Sequence, residues 1–149
     1  NSGGQRGLGT MTAPNAEAVQ KCIKDAILDA EIEAKDIDLI NGHLTATSKD
    51  ALEIENWSKA LNRMGCNFPY INSLKGMVGH CLSAAGSMEL VASLLEIKHQ
   101  FIFPSINCSE DKIPQKAIFQ PINILAKASF GFGDVNGCVI LKKYNYESN

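Results

Sequence analysis

Asn72-Ser73-Leu74-Lys75-Gly76-Met77-Val78-Gly79-His80-Cys81-Leu82-Ser83-Ala84-Ala85-Gly86-Ser87-Met88-Glu89 is the stretch whose reading decides the fold. A short apolar run, Tyr70 to Asn72, enters a turn bearing a lysine and a histidine, then a helix whose first turn is nearly all small residues. Polar groups therefore sit where a strand ends, the usual place for sites in α/β sheets. Gly76 and Gly79 between Lys75 and His80 let the segment curl so that both side chains face one point. The following helix directs its partly positive N-terminus to the same place. A cation, an imidazole and a helix N-terminus suit a site where negative charge appears on an oxygen. A solvated glycine-rich loop would use the same residues.

Outward from that stretch, the spacing predicts a helix from Ser83 to about His99 with Leu90, Val91, Leu94 and Leu95 facing inward. Upstream, Asp36 to Ile40 reads as a short strand that delivers His43 to a strand end. Ser48 is placed to cap a second helix carrying Ile54, Trp57, Leu61 and Met64 on one side, with Gly65 as its stop. Before it, Val19, Cys22, Ile23, Ala26, Ile27 and Ala30 recur at helical spacing after Pro14. Residues 1–13 are rich in glycine and read as an irregular segment, leaving 14–149 as one domain. Downstream, Pro104, Pro114 and Pro121 punctuate a loop-like region from Gln100 to about Leu125. Ala126 to Phe130 and Gly137 to Leu141 then read as strands joined by a Gly-Phe-Gly turn. The order αβαβαββ predicts an α/β fold with a mixed β-sheet flanked by helices.

Composition narrows the function classes. A chain of 149 residues is long enough to bury a core, and 45% hydrophobic with 20% charged residues is an ordinary globular balance. The formal charge of −2 offers no footprint for nucleic acid. No apolar run approaches the ~20 residues of a membrane span and no signal-peptide pattern is present, so a cytoplasmic protein is the expectation. The five cysteines are scattered without CxxC spacing, and read as reduced thiols with no metal site.

The motif Ser73-x-Lys75-x-x-x-Gly79-His80-x-x-x-Ala84-Ala85-Gly86-x-x-Glu89 resembles the lysine and second-histidine segment of the β-ketoacyl-acyl carrier protein synthases, condensing enzymes of the thiolase-like superfamily. Asn41-Gly42-His43-Leu44-Thr45-Ala46-Thr47 resembles their first-histidine motif, usually Asn-Ala-His-Gly-Thr-x-Thr. Ser129-Phe130-Gly131-Phe132-Gly133-Asp134-Val135-Asn136-Gly137 resembles the C-terminal Gly-Phe-Gly-Gly-Thr-Asn loop, and Pro104-Ser105-Ile106-Asn107 fits a fourth, weaker motif.

The resemblance implies a decarboxylative Claisen condensation between an acyl thioester and malonyl-acyl carrier protein, in fatty acid or polyketide-type biosynthesis. His43 and His80 would donate hydrogen bonds to the malonyl thioester oxygen, stabilising the enolate. Lys75, paired with Glu89, would set the electrostatics of the His80 loop. The Phe132 amide would contribute to the oxyanion hole and its ring would gate the acyl pocket, with Gly131, Gly133 and Asn136 in the gating loop. Thr45 and Thr47 would hold the phosphopantetheine arm of acyl carrier protein, which serves as substrate carrier with no bound cofactor implied; their hydroxyls also suit a simple turn. Phe130 reads as core.

A complete family subunit is about twice this long, and the matched motifs belong to its C-terminal half. The resemblance therefore implies that the first, central strand of that half is missing, as is the half with the nucleophilic cysteine, so that the chain alone should be inactive. Acyl carrier protein, the N-terminal half and a homodimer partner are the implied partners, the last two because an open slot in the sheet invites pairing. Departures from the pattern matter too. Leu44 stands where glycine is usual, near the pantetheine path and where a positive φ would be disfavoured, and Ala46 replaces a common serine. Asp134 and Val135 replace Gly and Thr, bringing a charge toward the oxyanion region. These leave a second expectation open, a non-catalytic synthase-like partner of the chain-length-factor type.

Overall fold

The computed structural model describes residues 15–106 and 113–144. The glycine-rich 1–13 segment, Asn107 and Cys108 lie outside them. Asn15 opens α1 (Ala16–Asp29) by accepting the amides of Glu17 and Ala18, two of the donors that a helix start leaves free. Glu33 and Asp36 cap a 3₁₀ turn reciprocally, which delays β1 to Leu39–Asn41. The second helix, α2 (Asp50–Leu61), is not capped by Ser48: its N-cap is Lys49, and it ends on Asn62 in a left-handed conformation before Gly65 is reached. Then follow β2 (Tyr70–Asn72), the single-turn α3 (Lys75–Val78) and α4 (Ala85–His99).

The proline-punctuated region is more ordered than its composition suggests. Within it β3 (Phe101–Ile102) pairs antiparallel with β4 (Ile118–Phe119). The last strands are β5 (Ile124–Gly131) and β6 (Val135–Lys142).

The main sheet has the order β2-β1-β5-β6, with β1 parallel to β2 and β5, and β6 antiparallel to β5. This mixed sheet corrects one expectation: among the described residues no slot waits for a central strand. Leu39, Ile40 and Asn41 register directly with Leu125, Ala126 and Lys127, so the middle of the sheet is closed. Its open edges among the described residues are β2 and β6.

Helices cover both faces. Alternation along the strands sends Ile40, Ile71, Ala126 and Ala128 to one side, where Val19 and Ile23 of α1 and Trp57 and Leu61 of α2 complete the larger core. Leu39 and Leu125 point to the other side and pack with Ile97 of α4, Ile102 and Ile122.

That second face turns polar one rung further along. Asn72, Asn41 and Lys127 are in register across three strands, two residues beyond Tyr70, Leu39 and Leu125. Helix α4 crosses this rung with matching groups: Asn72 donates to Glu96 at 2.5 Å, Asn41 to Ser93 at 3.0 Å, and Lys127 ion-pairs with Glu89 at 2.6 Å. Two helical turns rise about 10 Å, close to two strand spacings, so each partner meets its own strand.

The expected inner face of α4 is therefore reversed. Val91, Leu94 and Leu95 are 59%, 54% and 39% exposed and Leu90 is half-buried, while Glu89, Ser93 and Glu96 are buried. A polar rung selects a polar helix face, because unpaired buried Asn and Lys groups would each cost more than the apolar contacts forgone.

Candidate active site

The site is assembled where β1 and β2 end. Gly42 extends the ladder by donating to the Asn72 carbonyl at 2.9 Å, which carries the chain directly to His43. The amides of His43 and Leu44 both donate to the Glu53 carboxylate, at 2.7 and 2.9 Å. Glu53 comes from the first turn of α2 and is buried; desolvation raises its carboxyl to about 7, against the pull of those two amides. It is a clamp on the His43 backbone that motif reading passes over. Leu44 packs in the larger core, and its carbonyl accepts the Ser73 hydroxyl at 3.0 Å. The left-handed residue of this loop is Ala46, with φ 57.

Asp50 holds the next three residues. Its carboxylate accepts the amides of Thr45, Ala46 and Thr47 at 3.1, 3.0 and 3.2 Å, which turns the two threonines side by side with hydroxyls 3.4 Å apart. The Thr47 hydroxyl also accepts the Lys49 amide at 3.2 Å.

Beyond β2, Ser73 is locked to Ser105, whose hydroxyl accepts its amide at 2.8 Å, and Lys75 follows in α3. Lys75 Nζ bonds Glu89 Oε1, and Lys127 Nζ lies 2.6 Å from Glu89 Oε2. All three side chains are buried. Gly79 ends α3 at φ 77, a turn that favours glycine, and presents His80. His80 Nδ1 accepts the Leu82 amide at 3.1 Å, so the proton of its neutral ring sits on Nε2.

The two imidazoles meet edge to face, with centroids 5.6 Å apart and planes at 84°. Phe130 packs against His43 at 6.3 Å. Burial pulls the His43 pKa down to about 4, helped by the positive charges of Lys75 and Lys127. His43 is thus neutral through the physiological range.

The last piece is the turn between β5 and β6. Phe132 is 70% exposed, and Gly133 and Asp134 follow with φ 71 and 61. Asp134 does not direct its carboxylate to the cavity: it is buried, accepting from the Asn15 amide at 3.3 Å and from Asn136 at 2.8 Å.

One cavity of about 500 Å³ is lined by His43, Thr45, Thr47, His80, Gly131 and Phe132, among others. A second, of about 240 Å³, adjoins it through Thr45 and His80 and reaches Lys75. Glu89 lies beneath. Gly133 and Asn136 line neither cavity; they shape the turn that carries Phe132. The sequence reading missed Glu53, Asp50 and Lys127. Only Asp50 and Glu53 left a trace, as acids in the first turn of α2.

A model of the β-ketoacyl synthase C-terminal domain matches residues 1–109, and the chain belongs to that family of condensing enzymes. A 3-oxoacyl-[acyl-carrier-protein] synthase 2 from Coxiella burnetii is 34% identical over 145 residues, a match covering 90% of this chain and 34% of that protein. The ishigamide ketosynthase/chain length factor superposes with a TM-score of 0.86 at 29% identity, covering 97% of this chain and 36% of that one. A type II polyketide synthase ketosynthase, solved in complex with its acyl-carrier protein, superposes with a TM-score of 0.81 at 30% identity, over 93% of this chain and 36% of that one. The chain spans about a third of the length of the curated relatives it matches. Among the described residues no helix is long and apolar enough to cross a membrane.

Proposed function

We propose that this chain forms the decarboxylating part of a 3-oxoacyl-[acyl carrier protein] synthase, acting in fatty acid or polyketide-type biosynthesis. The observation that carries the reading is the pair of imidazoles facing one cavity above a buried Lys75–Glu89 ion pair. The phosphopantetheine arm of an acyl carrier protein enters past Thr45 and Thr47. The malonyl thioester oxygen lies between N–H donors of His43 and His80. As the bond to the carboxylate carbon breaks and carbon dioxide leaves, its electron pair moves onto that oxygen as an enolate, which the two donors stabilise. The enolate carbon then attacks the acyl thioester held on a cysteine; the new carbon–carbon bond forms, the cysteine departs as a thiolate, and the product stays on the acyl carrier protein. The amide of Phe132 receives the oxyanion of that second step, and its ring swings on Gly131 and Gly133 to admit the acyl chain.

A neutral imidazole at His43 suits this role. A donor to a developing enolate needs an N–H bond but no net charge, and a strong base would serve no step. The acyl-bearing nucleophile belongs to the proposal as a cysteine of the N-terminal half of a complete subunit, not as a cysteine of this sequence. Acyl carrier protein and a second synthase subunit are the proposed partners.

The test is malonyl decarboxylation by the natural polypeptide that carries this sequence. His43→Ala and His80→Ala should each lower it by about 10²-fold or more. Unchanged rates in both would remove the enolate role. The alternative, a non-catalytic partner subunit, is kept in view by the ketosynthase/chain length factor relative. Its sequence signals were Leu44, which packs in the larger core, and Asp134, whose carboxylate faces Asn15 and Asn136. Absence of decarboxylation in the natural polypeptide would favour that alternative.

A further inference from the structure

The buried charge beneath the two histidines does not balance. Lys75 and Glu89 form a complete pair, with Nζ on Oε1. A second ammonium, Lys127, occupies the other carboxylate oxygen at 2.6 Å. It also donates to the Ala128 carbonyl and to the Ser129 hydroxyl, the latter at 2.9 Å. Two of its protons thus have oxygen acceptors, and its remaining side faces the Glu89 carboxylate as an ion pair, surroundings that suit an ammonium. Lys127 is 3% exposed in its side chain, so its charge is not dispersed by water. The trio Lys75, Glu89 and Lys127 therefore carries one surplus positive charge inside the protein.

Its position connects it to the site. Lys127 is the cross-strand neighbour of Asn41, and the chain leaves Asn41 through Gly42 to His43. We propose that Lys127 is a positioning residue for His43: its ammonium joins Lys75 on a single Glu89 carboxylate and leaves surplus positive charge beneath the imidazole, which keeps it a neutral donor and favours an anion in the cavity above. The inference rests on the condensing-enzyme reading only for the identity of that anion, a malonyl carboxylate or enolate. The charge arrangement stands by itself.

The groups that bear on His43 come from every element around it. They are Lys75 of α3, Glu89 of α4, Lys127 of β5, Glu53 of α2 and His80 of the following loop. Both lysines act to lower the His43 pKa and Glu89 acts to raise it, with burial the largest influence. Burial in turn lowers the Lys127 pKa, and Glu89 opposes that. A structural salt bridge alone would predict that neutralising Lys127 changes stability but not the titration of His43.

The experiment is a side-chain NMR titration of the three histidines in this chain. Resonances are assigned with His43→Gln and His80→Gln, and His99 at the end of α4 serves as internal reference. In the unaltered chain His43 should stay neutral until about pH 4. In Lys127→Met its midpoint should rise by at least half a pH unit, with His99 unmoved, and Lys127→Arg should restore the low value. An unmoved His43 in a folded Lys127→Met chain overturns the proposal. If that variant does not fold, the lysine ¹⁵Nζ spectrum of the unaltered chain decides instead. Two exchange-protected ammonium groups at pH 7 support the proposal, and a single one overturns it. A shifted His43 midpoint together with full decarboxylation by His43→Ala would sink the catalytic reading and leave the role of Lys127 standing.

Discussion

Glu96→Gln should stabilise this protein in a strongly pH-dependent way. Glu96 is fully buried on α4, with Oε1 accepting from Asn72 at 2.5 Å and from the Phe103 amide at 2.9 Å. Oε2 has no partner among the described residues, which suits a protonated acid. Burial raises its pKa from 4.5 to about 7, against two hydrogen bonds that favour the charged form. The unfolded chain loses this proton near 4.5 and the folded chain near 7, so the folded state holds the extra proton between those values. Stability therefore falls as pH rises through that window. The gap of roughly 2.5 pH units, at about 1.4 kcal/mol each, makes the loss roughly 3 kcal/mol once pH exceeds 7.

Glutamine copies the protonated acid and does not titrate. The advantage of Glu96→Gln over the unaltered chain should thus grow by roughly 3 kcal/mol between pH 4.5 and 8. Urea unfolding followed by the fluorescence of Trp57, the single tryptophan and fully buried, measures it at both pH values. Taking the difference between pH values cancels any fixed cost of the amide and the titration of Glu53 and His43. A stability difference that does not change with pH would refute the reasoning.

Other substitutions probe the remaining supports. Asp50→Ala removes the acceptor for three loop amides, but water can replace it there. It should cost only about 1 kcal/mol while hydrogen exchange at Thr45, Ala46 and Thr47 accelerates more than tenfold. Asp134→Ala loses the bonds to Asn15 and Asn136 at a left-handed residue and should cost about 2 kcal/mol by urea titration. Asp134→Asn, which tolerates that backbone and keeps an acceptor, should cost less than about half as much. Val91→Lys changes an outward residue of α4 and should leave the unfolding free energy of this chain within about 0.5 kcal/mol; a larger loss would mean that α4 is rotated from the orientation described.

What could be read from the sequence followed from local chemistry. Strand ends, turns and the order of elements are written in short patterns, so β5, β6 and the Gly-Phe-Gly turn lie close to where alternation puts them. Helix faces were less legible. Leu90, Val91, Leu94 and Leu95 make an apolar stripe, but the sheet surface that α4 covers includes the polar rung Asn72, Asn41 and Lys127, and the stripe that matches it is Glu89, Ser93 and Glu96. No window along one helix contains that information, because the deciding residues lie on three strands far away in sequence. The closed middle of the sheet is of the same kind: pairing of β1 with β5 joins residues more than eighty positions apart.

The site shows the same division. His43, Lys75, His80 and Phe132 stand in recognisable motifs and line adjoining cavities. The residues that orient them were hidden. Glu53 and Asp50 look like ordinary helix-start acids, and Lys127 sits inside an apolar strand run where a charge reads as an interruption. Their functions become visible only with their partners, the amides of His43 and Leu44, the threonine loop and the second oxygen of Glu89.

The most direct test of the central claim is the release of carbon dioxide from malonyl-acyl carrier protein by the natural polypeptide containing this sequence, compared with its His43→Ala and His80→Ala variants. Measurable release that falls by about 10²-fold or more in each variant is the result predicted for two donors on one enolate oxygen. Release that survives both substitutions, or no release by the unaltered protein, would contradict it.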